Sequence, residues 1–158
     1  MASKRNGGAV RRLGLLLGMI GLAGCAKVEY GALANRSAAT ALSFRPPTGQ
    51  SGIYVIRRSE LEAAAVAFRV DVDRQSLGKI TLVRYLYTTL PPGGHSMSVT
   101  RWGQLLESDD YLFNTEPGRN YFFVLQPPGL GGPRVTPVPE ELGRQMVTDI
   151  AKLRPQEL

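Results

Sequence analysis

Cysteine and histidine are almost missing from this sequence, whose 158 residues contain one of each. A single cysteine, Cys25, excludes a disulfide within the chain. A single histidine, His95, excludes zinc sites and hydrolytic sites that need several histidines. Long apolar runs are missing too, because residues 13–24 are interrupted by glycines. That stretch is shorter than the ~20 apolar residues that a membrane-spanning helix needs.

The first 24 residues have the features of an export signal. Four basic residues precede the apolar stretch: Lys4, Arg5, Arg11 and Arg12. The stretch ends in Leu22-Ala23-Gly24-Cys25, which resembles the lipobox of bacterial lipoproteins. This resemblance implies that residues 1–24 are removed and that Cys25 becomes the mature N-terminus. Cys25 would then carry diacylglycerol and acyl chains, and we expect no other cofactor and no metal.

A lipidated Cys25 predicts a protein held on a membrane, since two or more acyl chains give stable anchoring. Ala26 follows the cysteine, instead of the aspartate associated with retention at the inner membrane. Similarity to that sorting rule favours the inner leaflet of the outer membrane, with the domain facing the periplasm. The inner membrane stays open as the alternative.

The net charge gives little reason to expect a nucleic-acid partner. The full sequence has 19 basic and 13 acidic residues, a formal charge of +6. Residues 1–24 hold four of the basic residues and no acidic one, which leaves 15 against 13, a charge of +2. A nucleic-acid-binding face needs a denser basic patch than this balance provides.

The mature sequence divides into a tether and one domain. Residues 25–50 mix small, polar and apolar residues without a regular period and end in Pro46-Pro47-Thr48-Gly49. We interpret them as a flexible tether, with a first edge strand at Leu42 and Phe44 as an option. Residues 51–154 form the predicted domain.

Short apolar runs separated by turn residues predict β-structure in most of this domain. The predicted strands are residues 53–56, 66–72, 77–80, 82–90, 95–102, 110–115 and 121–125. The last run is apolar throughout, which predicts a central strand buried on both faces. The proline- and glycine-rich residues 91–94 and 127–133 predict a sharp turn and a long loop. Residues 59–65 fit either a helical turn or a loop.

The end of the domain has a helical pattern instead. Leu142, Met146, Ile150 and Leu153 follow one another at spacings of four, four and three residues, which predicts one apolar stripe facing the core. Pro155 ends the segment. The predicted fold is therefore a small antiparallel β-sandwich of about seven strands with a C-terminal helix, preceded by a signal peptide and a tether.

Four sequence pieces together resemble the bacterial lipoproteins of domain-of-unknown-function family 2846. The pieces are Ile53-Tyr54-Val55-Ile56-Arg57, Val70-Asp71-Val72-Asp73 with Leu77-Gly78-Lys79-Ile80, Leu90-Pro91-Pro92-Gly93-Gly94-His95-Ser96-Met97, and Pro117-Gly118-Arg119-Asn120-Tyr121-Phe122-Phe123. The chain departs from the family pattern at Arg74, where a glycine is usual, and at Gly94, which is extra. The resemblance implies an envelope β-sandwich lipoprotein and no particular activity.

Two carboxylates and the histidine are the candidates for catalysis. Asp71 and Asp73 could act as acid and base or hold a cation. We favour a turn and a solvated strand face, because hard cations need more oxygens than these two residues offer. His95 could serve as a base beside Ser96 or Ser98, although adjacent residues point to opposite faces of a strand. A histidine that bonds a backbone carbonyl at the end of a turn is the favoured interpretation.

Four other features could mark a ligand surface: Tyr87, Trp102, His95 and Arg57. Aromatic residues in strands mostly form core, and an arginine at a strand end is mostly solvated. Our first hypothesis is a non-enzymatic binding or envelope-support module, anchored by lipid, whose partner is an envelope protein or a cell-wall polymer. The alternatives are a carbohydrate- or peptidoglycan-binding module and, less favoured, a hydrolase that uses His95.

Overall fold

The computed structural model describes residues 38–59, 65–103, 110–129 and 132–153. The elements in chain order are α1 (Ala38–Ser43), β1 (Ser51–Arg57), β2 (Phe68–Val72), β3 (Gln75–Ile80), β4 (Arg84–Leu90), β5 (Gly93–Arg101), β6 (Tyr111–Thr115), β7 (Asn120–Gly129), β8 (Gly132–Val138) and α2 (Glu140–Leu153). Cys25 and the lipobox lie outside the described residues, as do residues 60–64 of the ambiguous segment. Neither described helix has the length and apolar content needed to cross a membrane.

The strands form two four-stranded sheets, which confirms the predicted β-sandwich with a C-terminal helix. The first sheet has the order β4-β1-β7-β8 and the second has the order β3-β2-β5-β6. Every pair is antiparallel except β1 with β7, which run parallel in the register Ile53 to Tyr121. The described residues thus contain eight strands, one more than predicted, with a parallel pair at the centre of the first sheet.

The continuous apolar runs of β1 and β7 become strands buried on both faces. Ile53 and Val55 face the second sheet and join the core between the sheets, which includes Val70 and Val99. The alternate side chain Tyr54 belongs instead to a second apolar cluster, between the first sheet and the helices. The prediction of a central buried strand at residues 121–125 is confirmed, since Phe122 to Leu125 are all buried.

The predicted edge strand at Leu42 and Phe44 is wrong, because this segment forms α1 and its C-terminal turn. Phe44 has a φ of 51° and donates its N–H to the carbonyl of Ala41, which ends the helix. Its ring lies 5.6 Å from Tyr54 and 6.1 Å from Phe122. The folded domain therefore includes residues 38–50, which the sequence assigned to the tether. Leu42 and Phe44, the apolar residues that suggested a strand, are partly buried against the cluster between the first sheet and the helices.

Helix α2 packs through a different stripe from the predicted one. Its buried residues are Gly143, Val147 and Ile150. Of the predicted stripe, Ile150 alone is buried, and Leu153 is 71% exposed. The reason is that Gly143, which has no side chain, lets the helix backbone approach the Phe122 ring closely, and this contact sets the rotation of the helix.

Two loop predictions also need correction. The predicted loop at 127–133 is a hairpin, because β7 extends to Gly129 and pairs with β8, which the sequence analysis missed. β8 lies at a sheet edge, where its prolines cost few ladder bonds. Likewise β5 starts at Gly93, so the sharp turn predicted for residues 91–94 is shorter.

Three tyrosines on the helix-facing side of the first sheet predict loss of stability at alkaline pH. Burial raises the pKa of Tyr54 above its usual value, and the nearby Tyr87 and Tyr85 raise it further. Burial also raises the pKa of Tyr85 and of Tyr87. The folded state thus favours neutral tyrosine, so this contribution to stability is complete below the ordinary tyrosine pKa of ~10 and is lost as the pH rises above it.

We expect the unfolding midpoint in urea to fall steeply above pH ~10, together with the appearance of tyrosinate absorbance. The matched variant is Tyr87→Phe. The Tyr87 hydroxyl is buried without a hydrogen-bond partner among the described residues, so its removal leaves stability at neutral pH unchanged or higher. The variant should unfold at higher pH than the wild type. Identical alkaline transitions in the two proteins would contradict this explanation.

Candidate functional site

The outward side of the second sheet forms a polar surface, which we call the open face. Its side chains come from the residues that alternate with the core positions of each strand. They are Ser76 and Lys79 of β3, Arg69 and Asp71 of β2, Ser96, Ser98 and Thr100 of β5, and Leu112 and Asn114 of β6. The described helices cover the other sheet. On the open face Ser76, Lys79, Leu112 and Asn114 are exposed, whereas Asp71, Ser98 and Thr100 are buried.

A groove of about 500 Å³ crosses the open face. Its lining is polar and charged: Arg69, Asp71, Arg74, Ser76, Ser96, Ser98 and Asp110. Within the groove, Arg69 Nε donates to Asp71 Oδ2 at 2.7 Å. Asp71 is buried and lies directly across from Ser98 on β5. The groove thus presents carboxylates, guanidinium groups and hydroxyls side by side.

The tight β2–β3 turn holds one end of this groove. Its two central residues, Asp73 and Arg74, both have left-handed backbones, with φ of 50° and 63°. Such a turn matches the twist of a two-stranded hairpin. Asp73 donates its N–H to the carbonyl of Ser96 at 2.9 Å, and its Oδ1 accepts from the N–H of Ser96 at 3.0 Å. These bonds fix the turn against β5 and place Arg74 at the groove.

The His95 side chain also holds the β2–β3 turn in place. Its Nδ1 lies 2.7 Å from Asp73 Oδ2, and its Nε2 lies 2.9 Å from the carbonyl oxygen of Pro91. The Asp73 carboxylate and the Pro91 carbonyl are both hydrogen-bond acceptors, so each ring nitrogen of His95 faces an acceptor. The side chain is 7% exposed and packs 5.7 Å from the Phe113 ring. Both nitrogens are therefore occupied by structural bonds.

The structure brings some of the predicted catalytic candidates together and separates others. His95 contacts Asp73, whereas Asp71 pairs with Arg69. Ser98 lines the groove on the open face, whereas Ser96 lines both this groove and a second pocket, which it shares with Asp73, His95 and Phe113. Among the described residues, no group of three or more His, Cys, Asp and Glu side chains could hold a metal ion.

The four residues suggested as a ligand surface lie in different parts of the fold. Tyr87 lies on the helix-facing side of the first sheet, with its ring 4.7 Å from Tyr54. Arg57 is 3% exposed, and its guanidinium lies 4.7 Å from the Phe68 ring centroid. His95 lies at the start of β5, and Trp102 follows the end of the same strand. At a strand rise of ~3.4 Å per residue, the last two are more than ~20 Å apart.

Trp102 is the one of these four that lies exposed on the open face. Its side chain is 56% exposed, and the Lys79 ammonium lies 4.9 Å from its ring centroid. Its N–H continues the ladder by donating to the carbonyl of Ala67 at 2.8 Å. Sequence reasoning missed the groove itself. The even-numbered series Ser96, Ser98, Thr100 and Trp102, a polar stripe ending in an aromatic residue, was the signal for it.

The fold and this surface define a class of protein: a two-sheet β-sandwich with helices on one sheet and a polar groove on the other. Residues 47–127 match the model of a protein family of unknown function, DUF2846. The chain belongs to this family, and the matched residues run from just before β1 into β7. A comparison with curated proteins finds no match.

Proposed function

We propose that this protein is a lipoprotein of a bacterial envelope, whose acylated Cys25 holds a non-enzymatic binding domain at the membrane. The observation that carries the proposal is the order of the N-terminal features: a basic region, an apolar stretch and Leu22-Ala23-Gly24-Cys25. We place the protein on the inner leaflet of the outer membrane because Ala26 follows the cysteine. The domain would face the periplasm.

The distance from the proposed lipid to the domain suits this role. Residues 25–37 lie between the cleavage point and the first described residue, Ala38. At no more than ~3.6 Å per residue, they reach at most ~45 Å. A domain on a tether of this length stays close to the membrane surface and to polymers near that surface. The open face is the surface that we assign to binding, because it has exposed side chains that can form hydrogen bonds, among them Ser76, Lys79 and Asn114.

Binding is favoured over hydrolysis by the bonds that His95 makes. Two observations favour a hydrolase. Asp73 contacts His95 at 2.7 Å, and carboxylate–histidine pairs occur in hydrolytic sites. Ser96 also lines a pocket with this pair. In such sites the second ring nitrogen faces a nucleophile. Here Nε2 faces the carbonyl oxygen of Pro91, which accepts a hydrogen bond and cannot act as a nucleophile. We therefore assign the pair to the stability of the β2–β3 turn.

The first experiment tests the anchor. Wild-type protein is expected in the outer-membrane fraction, with an N-terminal peptide whose mass includes acyl chains on Cys25. Cys25→Ser should abolish acylation and leave an uncleaved or soluble product. Ala26→Asp is the matched variant, which should keep the lipid and shift the protein to the inner membrane. An unmodified Cys25 in native protein would overturn the proposal.

The second experiment tests the binding surface in intact cells. A photo-crosslinking amino acid is placed at Leu112, 75% exposed on the open face, or at Leu153, 71% exposed on the helix layer. We expect adducts of higher mass from position 112 and few from position 153. Adducts from position 153 alone would show that the open face is not the binding surface.

A further inference from the structure

We infer that the ligand of the open face is a carbohydrate chain, which lies along β5 from the polar groove to Trp102. This inference rests on the proposed binding function and names the chemical class of the ligand. It depends on three observations: the mixed chemistry of the groove, the strained arginine at its end, and the exposed indole on the same face.

The groove matches a ligand that both donates and accepts hydrogen bonds. The carboxylates of Asp71 and Asp110 accept, the guanidinium of Arg74 donates, and the serine hydroxyls do either. The two carboxylates would repel a simple anion, and the two arginines would repel a simple cation. Sugar hydroxyls donate and accept at once, and neighbouring hydroxyls on a ring suit the two oxygens of a carboxylate and the paired N–H groups of a guanidinium. A polyhydroxylated ligand can therefore bond both the donors and the acceptors that are accessible in the groove, while Asp71 is already paired with Arg69.

Arg74 occupies a position at which glycine would be more stable. Its left-handed backbone, with φ of 63°, is unfavourable for a residue with a side chain. The turn stays in place because Asp73 is held by Ser96 and His95. Residues with backbone strain of this kind cluster at functional sites, so the strained Arg74 suggests that its side chain has a function. Here the role is to place a cationic donor at the end of the groove.

Trp102 extends the site beyond the groove. It lies directly after the end of β5, four residues from Ser98 of the open face, which is about 13–14 Å at the rise of a β-strand. An exposed indole provides a flat apolar surface, and the C–H faces of sugar rings pack on such surfaces. The separation is longer than one sugar ring, so the site fits a chain of sugars and not a monosaccharide.

The test uses the acylated full-length protein in detergent. Trp102 is the single tryptophan of the chain, so intrinsic fluorescence reports directly on the proposed site. The probes are N-acetylglucosamine oligosaccharides and soluble glycan strands from purified cell-wall sacculi, with inorganic phosphate as the anion probe. We expect a saturable fluorescence change with at least one of the carbohydrates and none with phosphate.

Arg74→Gly separates binding from folding. Because glycine is favoured in the left-handed turn, this variant should fold at least as stably as the wild type. It should bind the carbohydrate about tenfold more weakly, as expected when one charged contact with the ligand is lost. The matched control is Arg134→Gly, which removes an exposed arginine of the other sheet. It should leave the affinity unchanged.

Three outcomes would overturn the inference. The first is the lack of a saturable response to either carbohydrate while the crosslinks from position 112 persist. In that case the open face binds something else and the proposed function stands. The second is a response to phosphate alone, which would identify an anion site. The third is equal weakening by Arg74→Gly and Arg134→Gly, which would mean that binding depends on overall charge.

Discussion

Gly143→Ala is expected to lower the free energy of unfolding by about 2–3 kcal/mol, as overpacking of a tight core does. A Cβ at Gly143 would lie 2.2 Å from Cγ and 2.4 Å from Cβ of Phe122. Phe122 is itself buried between Tyr54 and the helix, with its ring stacked 4.6 Å from the Tyr54 ring, so it has little room to move. Helix propensity predicts the opposite sign, since alanine in a helix is favoured over glycine by ~1 kcal/mol. The sign of the change therefore decides between packing and propensity.

A double-mutant cycle identifies Phe122 as the cause. Phe122→Ala alone should cost about 3–5 kcal/mol through the cavity that it leaves. In that background Gly143→Ala should become neutral or stabilising, and urea unfolding of the four proteins gives the coupling free energy. Gln145→Ala, at an exposed position of α2, serves as the control and should change stability by less than ~0.5 kcal/mol. Equal destabilisation by Gly143→Ala in both backgrounds would contradict the packing argument.

The pattern of apolar residues along the sequence predicted those strands whose burial can be read from a short run of residues. The apolar runs of β1 and β7 indicated buried strands because any strand with both faces covered must be apolar throughout. The edge strand β8 could not be predicted in this way. Its Pro133 and Pro137 are turn residues by local preference, and they are tolerated because one side of β8 has no partner strand in the sheet order. That position in the sheet depends on the whole topology.

The rotation of α2 about its axis could not be predicted from the sequence pattern either. A spacing of four, four and three residues defines a helix, but it does not say which of two overlapping stripes faces the sheet. The choice follows from the close contact between Gly143 and Phe122, which are far apart in sequence. Leu142 and Leu153 fit the helical period equally well and lie exposed.

The sequence predicted some of the residues of the candidate site, but it did not predict where these residues lie relative to one another. The turn that holds His95 was expected, and its bond to a backbone carbonyl is confirmed by the contact with Pro91. Its contact with Asp73 depends on the register of β2 against β5, which the sequence does not state. The groove forms where three strands and a turn meet, so its members are scattered along the sequence.

Arg57 provides the second large effect, because an arginine at a strand end turned out to be buried. Its guanidinium donates to the carbonyls of Val66 and Ile80 and lies over the Phe68 ring. Arg57→Ala would leave buried carbonyl groups without these donors, at a cost of about 1–3 kcal/mol for each. We therefore expect a loss of ~3 kcal/mol or more in the free energy of unfolding, measured in urea.

The neighbouring residue supplies the control for this prediction. Arg58 carries the same charge and is exposed, so Arg58→Ala should change stability by less than ~0.5 kcal/mol. Arg57→Lys keeps the charge but loses the planar group that bonds two carbonyls while it stacks on a ring. It should recover less than half of the stability that Arg57→Ala loses. Full recovery by lysine would show that charge alone matters at this position, and equal effects at positions 57 and 58 would contradict the structural role of Arg57.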